Sequence, residues 1–315
     1  NIMRWDSLLC TYGNNAKCHF RITANISISA AHTIDTLCGT IDGNHQTITL
    51  NNCTLTKTIK GGTVKDLTLT GTISSMAGTA AVSKYVGCAA CYITQEGKLS
   101  NITNNTSVSI SDIGIYFGGL CGWLQNGTIN HCANKASITN DLQRTSGIAV
   151  CVDTLGVVIN SYNNGVISGT SCGGIAVYTM GKVLNSYALA DLHGNEVAGL
   201  VTFCRGGLVD NCYFYGHLYA TETKAPLCCT VSLCGTVQYC YFCDTGQDNL
   251  QLSVIRHNNP AVGNIIQYTY LLSNATTLSS AGAFNSTSLL TELNNHVPAI
   301  SQALQWTTIN NQITL

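Results

Sequence analysis

The chain has 315 residues, a net charge of −1 at pH 7 and only 9% charged residues, against about 25% in an ordinary soluble domain. So little charge argues against nucleic-acid binding, which requires a basic patch. The sequence contains no run of about 18 apolar residues, so we expect no membrane-spanning helix. It begins at Asn1 with neither an initiator methionine nor a signal peptide, as expected of a processed product or of an internal piece of a longer protein.

The first 21 residues differ in pattern from those that follow. They contain Trp5 and the apolar pair Leu8 and Leu9, and we predict a short helix and loop that cap the open end of the fold. From Phe20 the residues alternate between apolar and polar, as in a half-buried strand. Segments 39–50 and 61–73 then each resemble two short strands joined by a bend.

Residues 118–219 repeat one pattern four times. Each unit contains a G-G-[IL] or similar step and ends in N-S-Y, N-C-Y or a variant of it, with the marker asparagines at Asn130, Asn160, Asn185 and Asn211. The intervals between these asparagines are 30, 25 and 26 residues. A fixed period in this range indicates a repeat architecture.

The composition of the unit predicts an all-β fold. Each unit holds two or three short runs of Ile, Val and Leu separated by Gly, Asn and Ser, and none of them continues at helical spacing. We therefore predict a right-handed parallel β-helix of roughly 25–30-residue coils, in which each strand pairs with its equivalents one coil above and below. Gly and Asn suit the bends because they tolerate positive φ, and the recurring asparagines are expected to stack as an amide ladder.

The end of the chain departs from the repeat. Gln238 replaces the marker asparagine, and Leu289, Leu290, Leu293 and Val297 have helical spacing. We predict a single domain, 1–315, with an N-terminal cap at 1–21, coils over 22–243, and irregular last coils with a helical C-terminal cap over 244–315. The cap is expected to pack on or beside the last coils.

The chain resembles the GLUG-motif β-helix proteins of bacterial and protist surfaces. The resemblance is carried by R-I-T-A-N-I-S-I, G-T-I-D-G-N-H-Q-T-I-T-L, G-G-T-V-K-D-L-T-L-T-G-T-I, the G-G-[IL] and N-[CS]-Y coils, and F-N-S-T-S-L-L-T-E-L-N. It implies a secreted or surface-displayed protein, often adhesin-like, with no shared catalytic residue. The chain departs from the family pattern in its cysteine content. It also has Val150, Val177 and Thr202 at the last Gly of the full step, G-G-[IL]-x-G.

Eight N-x-[ST] sequons, none with proline in the middle, predict N-glycosylation if the chain passes through a eukaryotic secretory pathway. A composition rich in Asn, Ser and Thr also produces sequons by chance. The candidate acceptors are Asn25, Asn52, Asn101, Asn104, Asn105, Asn126, Asn274 and Asn285.

The 17 cysteines allow two interpretations. Many stand where a small apolar residue would serve, which is typical of buried thiols that pack as small hydrophobes. Disulfides between neighbouring coils are the alternative, with Cys10 and Cys18, Cys38 and Cys53, and the cluster of Cys228, Cys229, Cys234, Cys240 and Cys243 as the expected participants. The odd count leaves at least one thiol free or bonded to another chain.

The sequence offers few catalytic candidates. A polysaccharide lyase or hydrolase on a β-helix would need carboxylates grouped on neighbouring coils. The two sets to consider are Asp42 and Asp66 with Lys65, and Asp191 and Asp210 with Arg205. The pairs Cys88/Cys91 and Cys240/Cys243 are too far apart in sequence to suggest a zinc site, so we expect no metal and no cofactor.

These observations predict a non-enzymatic, extracellular structural protein: a glycosylated β-helical rod that self-associates as a filament or surface-appendage subunit. An adhesin that binds a surface glycan or protein is the alternative, and a polysaccharide lyase or hydrolase is the second alternative. We expect neither nucleic acid nor a membrane among its partners.

Overall fold

The computed structural model describes residues 12–76, 84–244, 255–258, 263–271, 287–309 and 312–315. The first part of the chain forms β1 (His19–Arg21), β2 (Ile26–Ser29), a 3-10 turn (Ala30–His32), β3 (Ile34–Leu37), β4 (Thr40–Asp42), β5 (Thr47–Asn51), β6 (Thr56–Lys60), β7 (Thr63–Ile73), β8 (Tyr85–Gly87), β9 (Ala90–Thr94) and β10 (Gly97–Ile110). The repeat region forms β11 (Tyr116–Gly118), β12 (Cys121–Asn130), β13 (Ala133–Asn134), β14 (Ile138–Asn140), β15 (Thr145–Ser146), β16 (Ala149–Ile159), β17 (Tyr162–Asn163), β18 (Ile167–Gly169), β19 (Ser171–Gly173), β20 (Ala176–Thr179), β21 (Lys182–Leu184), β22 (Tyr187–Leu189), β23 (Leu192–Ala198), β24 (Val201–Arg205), β25 (Leu208–Asp210) and β26 (Tyr213–Gly216). The last part forms β27 (Leu218–Ala225), β28 (Cys228–Ser232), β29 (Thr236–Asp244), β30 (Ile255–Asn258), β31 (Ile265–Leu271), helix α1 (Thr287–Asn295), β32 (Thr307–Ile309) and β33 (Gln312–Thr314).

The strands β1 to β31 form a parallel β-solenoid, as predicted. Each strand pairs in parallel with its equivalents on the coils before and after it, and one such row runs through ten strands, β1, β4, β7, β10, β12, β16, β21, β25, β29 and β31. The antiparallel pair β32 and β33 is separate from this sheet. Inward-facing Ile, Leu and Val side chains from the coils between Ile22 and Phe242 fill one continuous core.

The second glycine of the G-G-[IL] step serves close packing between coils. A Cβ atom on Gly119, Gly147, Gly174 or Gly199 would lie 2.0–2.3 Å from the backbone carbonyl oxygen at the equivalent position of the next coil. Real Cβ atoms do not approach oxygen so closely, so only glycine fits. These glycines do not have the positive φ that we expected at the bends.

The marker asparagines provide that left-handed backbone instead. Asn160, Asn185 and Asn211 have φ angles of 50°, 48° and 53°, a region that asparagine tolerates better than most residues. Their side chains form the predicted amide ladder, in which Asn160 donates to Asn130 over 2.7 Å, Asn185 to Asn160 over 2.7 Å, and Asn211 to Asn185 over 2.9 Å.

The first rung of this ladder is shifted by one residue. Asn130 pairs in register with Ile159 rather than with Asn160, and His131 has the left-handed φ of 52°. The spacing between these two coils is therefore 29 residues, although the side chains of Asn130 and Asn160 still bond.

The two residues after each marker asparagine also have defined roles. Ser161 and Ser186 donate to the backbone carbonyls two residues before them, over 2.8 and 2.7 Å. The tyrosines that follow stack along the rod, with ring centroids 4.8 Å apart between Tyr162 and Tyr187 and between Tyr187 and Tyr213. The N-[SC]-Y motif is thus a bend, a backbone hydrogen bond and an aromatic stack.

The described residues of the C-terminal segment, 287–309 and 312–315, pack beside the coils against this motif. Asn160, Asn185 and Asn211 donate to the backbone carbonyls of Gln302, Leu304 and Leu293, over 2.6, 2.9 and 2.9 Å. Leu289 and Leu293 of α1, together with Trp306, are buried against Tyr187 and Tyr213. The predicted helix is confirmed, and the segment covers the side of the rod. The predicted N-terminal cap lies largely outside the described residues.

Candidate functional site

The first predicted set of catalytic carboxylates forms an ion-pair cluster. Lys65 lies between Asp42 and Asp66, with Nζ to Oδ2 distances of 3.4 and 3.2 Å. Asp66 also accepts a hydrogen bond from the side chain of Asn101 over 2.8 Å. The hydrogen bond from Asn101 lowers the pKa of Asp66, and the contact with Lys65 lowers it further. The hydrogen bond from Lys65 to Asp66 raises the pKa of Lys65. Both carboxylates are engaged in structural contacts.

The second predicted set is not brought together. Asp210 ends β25, whereas Asp191 precedes β23, and these strands belong to different rows of the solenoid. Arg205 lies over the rings of Tyr178 and Phe203. Burial raises the pKa of Asp210, but no partner for acid–base chemistry accompanies it among these residues.

The described cysteines favour buried thiols over disulfides. Cys53, Cys228, Cys229 and Cys240 are buried and not in disulfides, and Cys18 and Cys38 are half-buried and likewise unbonded to another cysteine. Cys234 is exposed on a turn, while Cys10 and the side chain of Cys243 lie outside the described residues. The Cys38–Cys53 disulfide is therefore absent. Burial raises the pKa of Cys53 to about 11.

Other buried thiols behave in the same way. Burial raises the pKa values of Cys88, Cys132 and Cys151 each to about 12, so these thiols stay protonated at neutral pH and make poor nucleophiles or metal ligands.

No group of three or more His, Cys, Asp or Glu side chains in the described ranges could hold a metal ion. No helix there has both the length and the apolar character needed to cross a bilayer.

The predicted glycosylation sites differ in accessibility. Asn25, Asn52, Asn101 and Asn105 are exposed, and Asn126 is half-buried. Asn104 is fully buried, and its Nδ2 atom, which a glycan would occupy, donates to Asn134 over 2.8 Å. This packing excludes a glycan on Asn104 in the folded chain. Asn274 and Asn285 lie outside the described residues.

A cleft on the outer face of the solenoid is a binding-site candidate within the described part of the chain. It has a volume of about 520 Å³, and its lining includes Asp141, Ser168, His193, Asn195 and Tyr219. Ser168 of β18, His193 of β23 and Tyr219 of β27 occupy one register position on three consecutive coils. Parallel pairing therefore presents their side chains as a row along the rod.

The cleft combines an aromatic platform with polar groups. The rings of His193 and Tyr219 stack with centroids 4.5 Å apart and planes 8° apart, and Tyr219 remains 43% exposed. Ser168 donates to Asp141 over 3.2 Å, and Asn195 to Glu222 over 3.0 Å. Such an arrangement suits a ligand with an apolar face and hydroxyl groups at its edge.

The cleft does not contain the arrangement of a serine hydrolase. A triad requires a hydrogen bond between the nucleophile and its base, but Ser168 bonds Asp141. Beside Tyr219, the imidazole of His217 pairs with a carboxylate instead, with its Nδ1 3.0 Å from Oδ1 of Asp191. Sequence reasoning considered Asp191 but missed His193 and Tyr219, because only the strand register aligns these rings.

Fold and cleft together define the class of protein: an all-β, parallel β-solenoid with a polar, aromatic outer face. In a comparison with solved structures, the chain matches a protein described as "a putative immunoglobulin A1 protease from Bacteroides ovatus". The TM-score is 0.56 at 16% sequence identity, and the match covers 99% of this chain and 89% of the other. No family model and no curated protein matches the chain.

This similarity supports the β-solenoid fold and, at 16% identity, nothing finer. Membership of the GLUG-motif proteins stays a prediction. The protease description applies to the neighbouring structure.

Proposed function

We propose that the chain is a non-enzymatic, extracellular β-helical rod that binds a surface glycan through the cleft around Tyr219. The observation that carries this proposal is the exposed His193–Tyr219 stack beside Asp141 and Asn195. A sugar ring has an apolar face that can lie against Tyr219, and its hydroxyls can donate to carboxylates and accept from amides. The exposed sequons and the resemblance to surface proteins support the extracellular location.

Several features favour binding over catalysis. Asp191 pairs with His217, and Asp42 and Asp66 share Lys65. The buried thiols with raised pKa values are unsuited to nucleophilic attack. Each of these groups already has a structural role.

The test uses the whole chain and a panel of neutral glucan, mannan and galactan oligosaccharides, with binding measured by titration calorimetry. We expect Tyr219→Ala to weaken binding of the preferred oligosaccharide by about tenfold or more, and Tyr219→Phe to retain most of it because the ring stays. Tyr12, which is 51% exposed and lies near the N-terminus, provides the matched control Tyr12→Ala. Unchanged binding in Tyr219→Ala, or no binding to any member of the panel, would overturn the proposal.

The same preparations test the enzyme alternatives. Each oligosaccharide and human immunoglobulin A1 are incubated with the chain, and new reducing ends or cleaved heavy chains are measured. Either product, lost in Asp141→Asn or Ser168→Ala, would contradict the non-enzymatic part of the proposal.

A filament subunit is the second candidate function. Its support is the low charge, with only 9% charged residues, which reduces repulsion between copies. Electron microscopy of the purified chain separates the candidates, because a filament subunit should form continuous fibres, whereas a monomeric adhesin should appear as short, separate rods.

A further inference from the structure

A second surface, beside the Tyr219 cleft, combines cations with aromatic rings. It follows the G-G-[IL] bend, where outward-facing residues of β8, β11, β15 and β19 meet those of β9, β12, β16, β20 and β24. We name it the basic aromatic surface and define it by Lys84, Tyr116, Trp123, Arg144, Tyr178 and Arg205.

The cations of this surface lie on ring faces. Arg144 donates from Nη1 to the hydroxyl of Tyr116 over 2.8 Å, and its guanidinium lies 5.1 and 5.3 Å from the ring centroids of Tyr116 and Tyr178. Arg205 lies 5.0 Å from the ring of Tyr178, and Lys84 lies 4.6 Å from the ring of Tyr116. Cation–π contacts fix the position of a charge without neutralising it.

The side chains of Lys84, Arg144 and Arg205 form no ion pair with a carboxylate in the described part of the chain. The ion pairs found there involve Lys57, Lys65, His217 and His296. Two carboxylates near this surface, Glu196 of β23 and Asp153 of β16, accept hydrogen bonds from Ser171 and Thr154. Two further donors of the surface, Nε of Arg144 and Nε1 of Trp123, are buried without a hydrogen-bond acceptor. Donors and positive charge therefore exceed acceptors and negative charge here.

We infer that the basic aromatic surface binds an acidic glycan, a chain bearing carboxylate groups that pair with Arg144, Arg205 and Lys84. Arginine binds carboxylates through two parallel hydrogen bonds. The surface crosses five coils, from Lys84 to Arg205, which corresponds to roughly 19 Å along the rod. That length suits an oligosaccharide better than a single sugar.

A peptide is a poorer fit to this surface than a glycan. Extended peptides bind by adding a strand to a free sheet edge, but β12, β16 and β20 are each paired on both sides. Nucleic acid fits poorly as well, because the whole chain has 14 basic and 15 acidic residues.

The basic aromatic surface and its acidic ligand are distinct from the Tyr219 cleft and its neutral glycan. The probes are oligogalacturonate, its neutral galactan counterpart, polyglutamate and a single-stranded oligonucleotide, each titrated against the whole chain. We expect oligogalacturonate to bind most tightly, and its affinity to fall when sodium chloride is raised from about 50 to about 500 mM. Arg205→Gln and Lys84→Gln should each weaken it by about fivefold to tenfold.

Arg144→Lys, which keeps the charge but loses the planar fork, should also weaken oligogalacturonate binding. Lys98→Gln removes an exposed charge on another strand row and should leave the affinity unchanged. Equal binding of the neutral galactan, equal or tighter binding of polyglutamate or the oligonucleotide, or an equal loss in Lys98→Gln would each overturn the inference. Tyr219→Ala should leave oligogalacturonate binding intact, so failure at either surface can be told from failure at the other.

Discussion

The side-chain amide of Asn185 donates to the side-chain oxygen of Asn160 over 2.7 Å. The same nitrogen donates to the backbone carbonyl of Leu304 over 2.9 Å. One asparagine therefore links two neighbouring coils and also attaches the C-terminal segment to the side of the rod. The repeated motif both builds the solenoid and forms the surface on which the end of the chain packs.

Replacing Asn185 should release this segment and weaken the ladder. Asn185→Gly preserves the left-handed backbone but removes the amide, leaving Asn211 with only one of its two acceptors, the carbonyl of Leu293, and we expect a loss of about 2 kcal/mol in the free energy of unfolding. Urea unfolding measures the loss, and limited proteolysis measures the release of 287–315. Asn164→Gly, at an exposed asparagine, is the control. Equal stability and equal protease resistance in the two variants would contradict this role.

The glycine row should be intolerant of any side chain. A Cβ on Gly174 would lie 2.0 Å from the carbonyl oxygen of Gly199, so Gly174→Ala must push two coils apart, and we expect a loss of about 3 kcal/mol. Gly114 has a φ of 86° but open space around it, so Gly114→Ala should cost only the backbone strain, about 1 kcal/mol. Thermal unfolding of both variants tests this order, and a larger loss in Gly114→Ala would refute the packing explanation.

The repeat predicted much of this fold, because the residues that build a bend recur in sequence. Asn160, Asn185 and Asn211 were recognisable as a ladder from their spacing alone. The sequence also predicted a C-terminal cap on or beside the last coils, but not its contacts with the marker asparagines, because the bond from Asn160 to Gln302 joins residues 142 positions apart. The His193–Tyr219 stack was missed for a related reason: coils differ in length by several residues, so outward-facing neighbours are known only once the strand register is known.

The buried thiols should resist alkylation in the folded chain. At about pH 8 an ordinary exposed thiol is partly ionised, whereas burial raises the pKa of Cys88 and of Cys132 to about 12. Iodoacetamide should therefore modify Cys18 and Cys38, which are only half-buried, and should modify Cys88 and Cys132 only after denaturation. Peptide mapping by mass spectrometry checks each site, and rapid labelling of Cys88 in native conditions would be inconsistent with this core.

Two adjacent sequons should differ in glycan occupancy. Asn105 is exposed, whereas Asn104 is buried and bonded to Asn134. In a eukaryotic secretory expression system we expect glycan on Asn105 and none on Asn104 of the folded product, because a glycan would break the buried amide contact. Glycopeptide mass spectrometry distinguishes the two, with Asn105→Gln as the matched variant. Folded, secreted chain with glycan on Asn104 would contradict the structure.

Asp66 should make a small, pH-dependent contribution to stability. Its hydrogen bond from Asn101 and its contact with Lys65 lower its pKa in the folded chain. A lowered pKa stabilises the folded state at pH values above the ordinary aspartate value of about 3.9, and the contribution is lost as the pH falls through the folded value. Because the side chains of the cluster are 28–39% exposed, solvent screens their interaction, and we expect no more than about 0.5 kcal/mol.

Asp66→Asn isolates this contribution. Asparagine accepts the left-handed φ of 53° found at Asp66, as Asn101 does at 54° on the next coil, so the backbone cost is minimal. Urea unfolding at about pH 7 and about pH 3 should show a smaller pH-dependent loss in the variant than in the parent chain. Identical pH dependence in the two chains would mean that Asp66 has the same pKa in the folded and unfolded states.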